Sequence, residues 1–189
     1  LLPKADRVIV VLVDADVSWH RIKVPKAPPA KLRAALMGIL EETLLDDEGA
    51  LHLVMAPGGQ PGRTGWVAVT HKPWLTAVIT ALEAAGTDIE KVVPSSAPVA
   101  QPVGHFYVDE SGDGNQGSIY LVFARKDGVN CVNLDGALAK GLVLGAGDLA
   151  RWTATPAAAP HAERWLGTRV AVLTDAERAM LACRGATNQ

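Results

Sequence analysis

The sequence predicts an α/β protein with mixed sheets, arranged as two lobes. Three observations support this fold class. Strand-like and helix-like hydrophobic patterns alternate along residues 7–94. A stretch of prolines and small residues, 94–102, then shows no hydrophobic period. The residues after it alternate like the strands of an antiparallel meander. We therefore expect a first α/β lobe at 1–94, a linker at 95–102 and a second α/β lobe at 103–189.

Two strands of different exposure open the first lobe. Residues 8–13 form a continuous apolar run, the pattern of a strand covered on both faces and placed centrally in a sheet. In residues 17–24, Trp19 shares the more polar face with Arg21 and Lys23, since side chains alternate along a strand. The second strand is therefore expected to be half exposed.

Two helices are predicted in the same lobe. Between Pro29 and Leu45 apolar residues recur every three or four positions, which makes one apolar stripe. A second helix is expected to begin at Pro73 and to end before Gly86, a residue suited to a left-handed C-terminal cap. Its predicted buried face consists of Trp74, Leu75, Val78, Ile79 and Leu82. Strands are predicted at 51–56, 66–70 and 89–93, the first two of them paired.

The second lobe is predicted to begin with three strands, at 105–109, 119–125 and 129–134. Lys126-Asp127-Gly128 has the composition of a hairpin turn between the last two of them. A short helix at 161–166 and a strand at 169–173 follow. Thr174 and Glu177 then match a capping box, which predicts a terminal helix to about residue 183.

Composition excludes several classes of function. With 18 basic and 20 acidic residues the net charge is −2, so the chain lacks the clustered cations of a nucleic-acid-binding protein. The two cysteines, Cys131 and Cys183, are far apart and outside any CxxC motif, which favours a reducing cytoplasm over a disulfide framework or a zinc site. No run approaches the 18 or so apolar residues of a membrane span, which predicts a soluble piece.

A search for catalytic motifs finds none that is complete. The loop Asp109 to Gly117 begins like a calcium loop, but Tyr120 stands where the bidentate Glu is required. Neither this loop nor the glycine pair in 144–147 matches a phosphate-binding signature, and GxSxG is absent. The five histidines show no metal-ligand spacing. We therefore predict no catalytic, cofactor-binding or metal-ligating residues, and no cofactor.

Two features indicate surfaces for a partner instead. Five carboxylates lie within eight residues, and such a run is either a solvated helix end or an acidic docking surface for a basic partner. Among the five tryptophans, Trp19 is the best interface candidate because its neighbours are the most polar. The predicted interface residues are Trp19, Glu41, Glu42, Asp46, Asp47 and Glu48.

Three segments together resemble the cytoplasmic region of type II secretion system protein L, the GspL family. They are the strand ending in HRIKVP, the helix ending in LLDDE followed by LH, and the strand and helix VAVTHKPWLTAVITALEAAG. The resemblance covers about the first half of the chain well and the remainder in broad pattern. Asp14-Ala15 departs from it, standing where such proteins often carry a Pro/Gly-type turn.

This resemblance implies an actin-like ATPase fold with ribonuclease-H-like lobes and no catalytic role. The first lobe would lack the family's first strands. The parent would be a single-pass protein, with this part on the cytoplasmic face of the bacterial inner membrane. Its expected partners are the N-terminal domain of the secretion ATPase, other inner-membrane platform proteins and a second copy as a homodimer. Two alternatives stay open: a nucleotide-binding actin-like protein that uses the loops at 109–117 and 144–147, and the related type IV pilus assembly adaptor.

Overall fold

The computed structural model describes residues 8–109, 117–144 and 149–187. It divides into two compact units, Leu1–Ser95 with Gly185–Gln189, and Ser96–Arg184. The first unit holds five strands and two α-helices among its described residues. They are β1 Val8–Leu12, β2 Ser18–Lys23, α1 Pro29–Leu40, β3 Leu51–Met55, β4 Thr64–His71, α2 Lys72–Ala84 and β5 Ile89–Pro94.

An antiparallel sheet of three strands, in the order β2-β4-β3, carries most of the first unit's core. Its inner face packs against α1, because the apolar stripe of that helix and every second residue of the strands are hydrophobic. The predicted pairing of the third and fourth strands is confirmed, with Leu53 opposite Val69. Buried residues of this core are Ile22, Leu36, Met37, Leu40, Leu51, Val67 and Val69.

The central position predicted for the first strand is wrong. In the described residues β1 pairs in parallel with β5 alone, as a two-stranded sheet, and only Leu12 of the strand is buried. A continuous apolar run indicates a strand whose two faces are both covered, but it does not say how many strands lie beside it. The return strand itself, β5, is confirmed.

The first helix is shorter than its hydrophobic pattern predicts: it begins at Pro29 as expected but ends at Leu40 instead of Leu45. The carbonyl oxygen of Leu40 accepts bonds from both the N–H of Thr43, at 2.8 Å, and its hydroxyl, at 2.9 Å. This tight turn competes with the hydrogen bonds that would continue the α-helix beyond Leu40. Glu41 and Glu42 also oppose the helix dipole, so extending the helix through them is unfavourable.

The second helix, α2, ends as the sequence predicts. Gly86 has a φ of 81°, and the N–H of Thr87 returns to the carbonyl oxygen of Leu82 at 3.1 Å, which closes a left-handed cap. On its predicted buried face Leu75 is buried, but Trp74 is 36% exposed. Trp74 and Leu75 are neighbours in the first turn of the helix, where successive side chains point about 100° apart, so the side that buries Leu75 leaves Trp74 more exposed.

The second unit contains a five-stranded mixed sheet in the order β10-β9-β6-β7-β8. The predicted meander is confirmed as β6-β7-β8, while β9 and β10 add in parallel. The sequence did not predict β9 or α3, and the strand expected at 169–173 has two residues. The bounds are β6 Val103–Asp109, β7 Ser118–Arg125, β8 Gly128–Asn133, α3 Ala137–Val143, β9 Arg151–Ala154, α4 Ala159–Leu166, β10 Ala171–Val172 and α5 Asp175–Thr187.

Aromatic rings fill the core on one face of this sheet. Phe106 is buried against Trp152 and Trp165, with ring centroids 5.9 and 6.0 Å away. Phe123 stacks on Trp152 at 5.4 Å and 10°, although the two residues stand on strands that flank β6. Gly104 lies between them in the register, so the two rings meet above a residue without a side chain.

The capping box at the start of α5 is confirmed. The N–H of Glu177 donates to the Thr174 hydroxyl at 3.3 Å, and the N–H of Thr174 donates to the Glu177 carboxylate at 2.9 Å. These hydrogen bonds, the backbone one first, lower the pKa of Glu177. The helix runs to Thr187, beyond its predicted end.

Candidate functional site

The acidic segment, residues 41–48, connects α1 to β3 and carries all five predicted carboxylates. Glu41 and Glu42 lie in the turn after the helix, Asp46 and Asp47 lie in the following loop, and Glu48 begins a 3₁₀ turn. All five residues are exposed. The segment contains no Lys or Arg, so its charge is of one sign.

Contacts on the inner side hold the start of the acidic segment in place. Leu44 packs against the core under α1, and its N–H donates to the carbonyl oxygen of Leu40 at 3.0 Å. Thr43, the residue before Leu44, closes the turn at the end of α1 with its two hydrogen bonds to the carbonyl oxygen of Leu40. The first half of the segment is therefore fixed by one apolar anchor and by hydrogen bonds to the last residue of the helix.

Hydrogen bonds also fix the far end of the segment. The N–H of Ala50 donates to the carbonyl oxygen of Asp47 at 2.8 Å. Arg33 of α1 donates from Nη2 to the carbonyl oxygens of Glu48, at 3.3 Å, and Leu51, at 3.1 Å. This guanidinium thus binds one main-chain oxygen in the last residue of the segment and one just beyond it, which ties the end of the segment to the helix and leaves the carboxylate side chains facing solvent.

Leu45 is the residue of this surface that the sequence analysis missed. Its side chain is fully exposed, whereas its neighbour Leu44 is packed inward. Leu45 directly precedes Asp46, Asp47 and Glu48, and a run of charges is usually a solvated surface, which was the available signal in the sequence. The acidic segment therefore presents one large apolar side chain surrounded by carboxylates, and interface centres often combine an apolar anchor with a polar surround.

Trp19 lies on a second surface, the outer face of the β2-β4-β3 sheet. The outer face is the side away from α1, and cross-strand register places Trp19 in one row with Ala68 and Val54. Trp19 is half-buried and Val54 is 49% exposed. The basic residues Arg21 and Lys23 share the face and are exposed, as the alternation in the sequence predicts. Trp66, opposite Arg21, completes the aromatic part of the face.

The two predicted surfaces do not meet. The acidic segment leaves α1 on the inner side of the sheet, whereas Trp19 is on the outer face. Within the described residues the structure therefore offers two separate candidate surfaces in the first unit, one acidic with Leu45 and one aromatic and basic.

Burial shifts the pKa of two titratable groups, one on β2 and one in the turn before it. His20 is on the inner side of β2, its Nε2 lies 2.9 Å from the hydroxyl of Ser18, and burial lowers its pKa. Asp16, in the 3₁₀ turn before the strand, has its pKa raised by burial. Both shifts arise because burial disfavours the charged form of each group.

The shift at His20 predicts a pH dependence of stability. In the unfolded chain His20 binds a proton near pH 6.5, whereas in the folded chain it does so only at lower pH. The unfolded state therefore gains protons first, and the free energy of unfolding falls as the pH falls through 6.5 toward the folded pKa. We expect His20→Gln to lose less stability than the parent chain between about pH 7 and pH 5. Urea unfolding of both chains at each pH measures this, and the contribution of Asp16 cancels in the comparison. Parallel curves would contradict the assignment.

The two glycine-containing loops of the sequence analysis fall mainly outside the described residues. Of the loop 109–117 only Asp109, at the end of β6, and Gly117 are described, and of 144–147 only Leu144. Among residues 8–109, 117–144 and 149–187, no three His, Cys, Asp or Glu side chains gather as a metal site. No helix in the described ranges has the length and hydrophobicity to cross a bilayer.

The comparisons with known proteins agree with the resemblance seen in the sequence. The family model for type II secretion system (T2SS), protein L, matches residues 1–102, more than half of the chain. The chain belongs to this protein L family. The match spans β1 to β5 and so includes both candidate surfaces. No curated protein sequence matches the chain significantly.

Solved structures with the same fold include a secretion protein and a pilus protein. The cytoplasmic domain of EpsL, an inner-membrane component of the type II secretion system of Vibrio cholerae, is similar with a TM-score of 0.60 at 16% identity, covering 98% of this chain and 76% of that one. A PilM-PilN type IV pilus biogenesis complex gives 0.52 at 16% identity, with 89% and 70% covered. The predicted mixed α/β fold class is confirmed, and it is the fold of these two proteins.

A third structure is less similar. It is a protein from Bacteroides thetaiotaomicron VPI-5482 with an actin-like ATPase fold and unknown function, and its TM-score is 0.46 at 8% identity over 95% of this chain and 74% of that one. This likeness is too weak to support a conclusion of its own.

Proposed function

We propose that this protein L chain is a non-catalytic adaptor of the type II secretion inner-membrane platform, which recruits the secretion ATPase to the membrane. The observation that carries the proposal is the family match over residues 1–102. The similar EpsL domain is the cytoplasmic part of an inner-membrane component, and by analogy this part faces the cytoplasm. The likeness to the PilM-PilN complex rests on fold, so the pilus alternative has less support.

The acidic segment suits the docking step of such an adaptor. It is fixed at both ends, so little conformational entropy is lost when a partner binds it. Its five carboxylates would attract a basic surface from a distance and raise the association rate. Leu45 would then enter an apolar pocket of the partner and slow dissociation. We propose the N-terminal domain of the secretion ATPase as this partner.

Retention of that ATPase domain by the immobilised chain tests the adaptor role. Binding at low salt is the expected result, since a charged interface is strongest where screening is weakest. If the domain is not retained even at low salt, the adaptor role is wrong. This experiment is independent of which surface of the chain is used.

Charge reversal tests the docking surface itself. We expect the double variant Asp46→Lys with Asp47→Lys to bind the ATPase domain with an association rate about tenfold lower and with a flatter salt dependence. Stopped-flow or surface-based kinetics measure both quantities. Circular dichroism should be unchanged, because both side chains are exposed.

A matched control is available in the same unit. Glu83 and Asp88 are also exposed, lie outside the acidic segment, and lose the same charge in Glu83→Lys with Asp88→Lys. The control should retain the association rate of the parent chain apart from a small effect of net charge. Equal rates for the two double variants would show that the acidic segment is not the docking surface.

A further inference from the structure

The three strands of the β2-β4-β3 sheet place cations and aromatic rings on its outer face and contribute no acid to it. None of the three strands contains Asp or Glu, and Arg21 and Lys23 are exposed on this side. Beside them lie the half-buried rings of Trp19 and Trp66, and Val54 at 49% exposure. An acidic ligand with an apolar tip would match this surface in charge and in hydrophobicity.

The acidic segment of the same chain has these properties. It presents five carboxylates, no cation, and the fully exposed side chain of Leu45. Its two ends are held by the hydrogen bonds of Thr43 and Arg33. The two surfaces of the first unit are thus complementary: the carboxylates match Arg21 and Lys23, and Leu45 matches the apolar part of the outer face.

One molecule cannot join its own two surfaces. Leu51, which follows the acidic segment, pairs with His71 at one end of β4, whereas Arg21 pairs with Trp66, five residues away, or about 17 Å along the strands. β3 and β2 lie on either side of β4, so two inter-strand spacings add a further distance of about 10 Å. The segment also begins on the inner side of the sheet and the cations lie on the outer side.

We propose that two copies of this chain associate head to tail, with the acidic segment of one copy bound on the outer face of the next. Leu45 contacts the Trp19–Trp66 region, and Asp46 and Asp47 pair with Arg21 and Lys23. The contact is heterologous, because it joins two different surfaces, and the pair keeps one free face, on one copy, and one free segment, on the other. Assembly therefore continues beyond the dimer as concentration rises.

This contact uses the segment that is also proposed to bind the secretion ATPase. Self-association and ATPase binding would then exclude each other at the acidic segment. That consequence alone rests on the proposed function; the self-association stands on the two surfaces described above.

Sedimentation velocity on the chain alone tests the proposal. We expect the mean size to grow with protein concentration at about 0.05 M salt and to fall at about 1 M, where exposed charges are screened beyond about 3 Å. Neutralising either surface, with Asp46→Asn and Asp47→Asn or with Arg21→Gln and Lys23→Gln, should weaken self-association about tenfold. Leu45→Ser should weaken it without a change of charge. The control, Glu83→Gln with Asp88→Asn, should behave as the parent chain.

Mixing the two neutralised variants gives the sharpest outcome. Each retains the surface that the other has lost, so an equimolar mixture should form dimers and nothing larger. A parent chain that stays monomeric at every concentration and low salt overturns the proposal. A mixture that fails to form dimers also overturns it. No ATPase is present, so either result leaves the adaptor role untouched.

Discussion

Replacing Gly104 by alanine is expected to destabilise the second unit by about 3 kcal/mol. A Cβ built on this residue would overlap the Cζ3 and Cε3 atoms of Trp152, and the next nearest ring atom, Cη2, would be 3.3 Å away. The indole must therefore leave its place, and its stacking on Phe123 and its contact with Phe106 are lost with it. Urea unfolding followed by tryptophan fluorescence measures the loss.

A double-mutant cycle separates the clash from other effects of the substitution. In Trp152→Ala the space above Gly104 is empty, so adding Gly104→Ala to that variant should cost little more. Gly141→Ala in α3 is the control in the same unit, because, apart from its chain neighbours and the backbone of its own helix, no described heavy atom lies within 4 Å of its Cβ position. It should be neutral or stabilise the helix by about 0.5–1 kcal/mol. If Gly104→Ala is as stable as the parent chain, Trp152 does not occupy this space.

The same glycine illustrates what the sequence predicted in the second unit and what it did not. The alternation of β6, β7 and β8 and the hairpin turn after Arg125 predicted the meander. They did not predict β9, because its four residues run into a stretch rich in alanine and proline. Yet β9 brings Trp152 to Gly104, which is a long-range pairing. Parallel partners far apart in sequence leave no local pattern to read.

In the first unit the strands were predicted well and the chain between them less well. The period of two along β2 and β4 fixed which residues face α1. The end of α1 depends on the hydroxyl of Thr43 and on the carboxylates of Glu41 and Glu42. The apolar stripe, in contrast, continues past this end to Leu44. Hydrophobic periodicity alone therefore extended the helix too far. It placed Leu45 at the end of the helix, outside the apolar stripe, and did not single it out as a surface residue.

The family match bears on the two units differently. It covers residues 1–102, which include the whole β2-β4-β3 sheet and the acidic segment. The second unit is related to the EpsL and PilM-PilN structures through the fold, at 16% identity. Both proposals therefore rest on the better-supported half of the chain. Core variants in the second unit should change its stability before they change any property of the acidic segment.

A core substitution beneath the acidic segment joins stability to the candidate site. Leu40 is 3% exposed in the core of the first unit, and we expect Leu40→Ala to destabilise that unit by about 3 kcal/mol, within the 2–5 kcal/mol of buried leucine truncations. The cavity forms where α1 ends, so the packing of Leu44 should loosen as well. Hydrogen exchange should rise in β2, β4 and β3, and thermal unfolding should occur several degrees lower.

Leu45→Ala is the matched control for this prediction, because it removes the same atoms five residues along the chain from a fully exposed side chain. Its stability should stay within about 0.5 kcal/mol of the parent. The two variants should also differ in binding: Leu45→Ala keeps the shape of the acidic segment and loses its apolar contact, whereas Leu40→Ala keeps the contact atoms and loosens their support. If both bind a partner as the parent does, the segment serves neither as a fixed surface nor through Leu45. If only Leu45→Ala is impaired, its side chain acts directly.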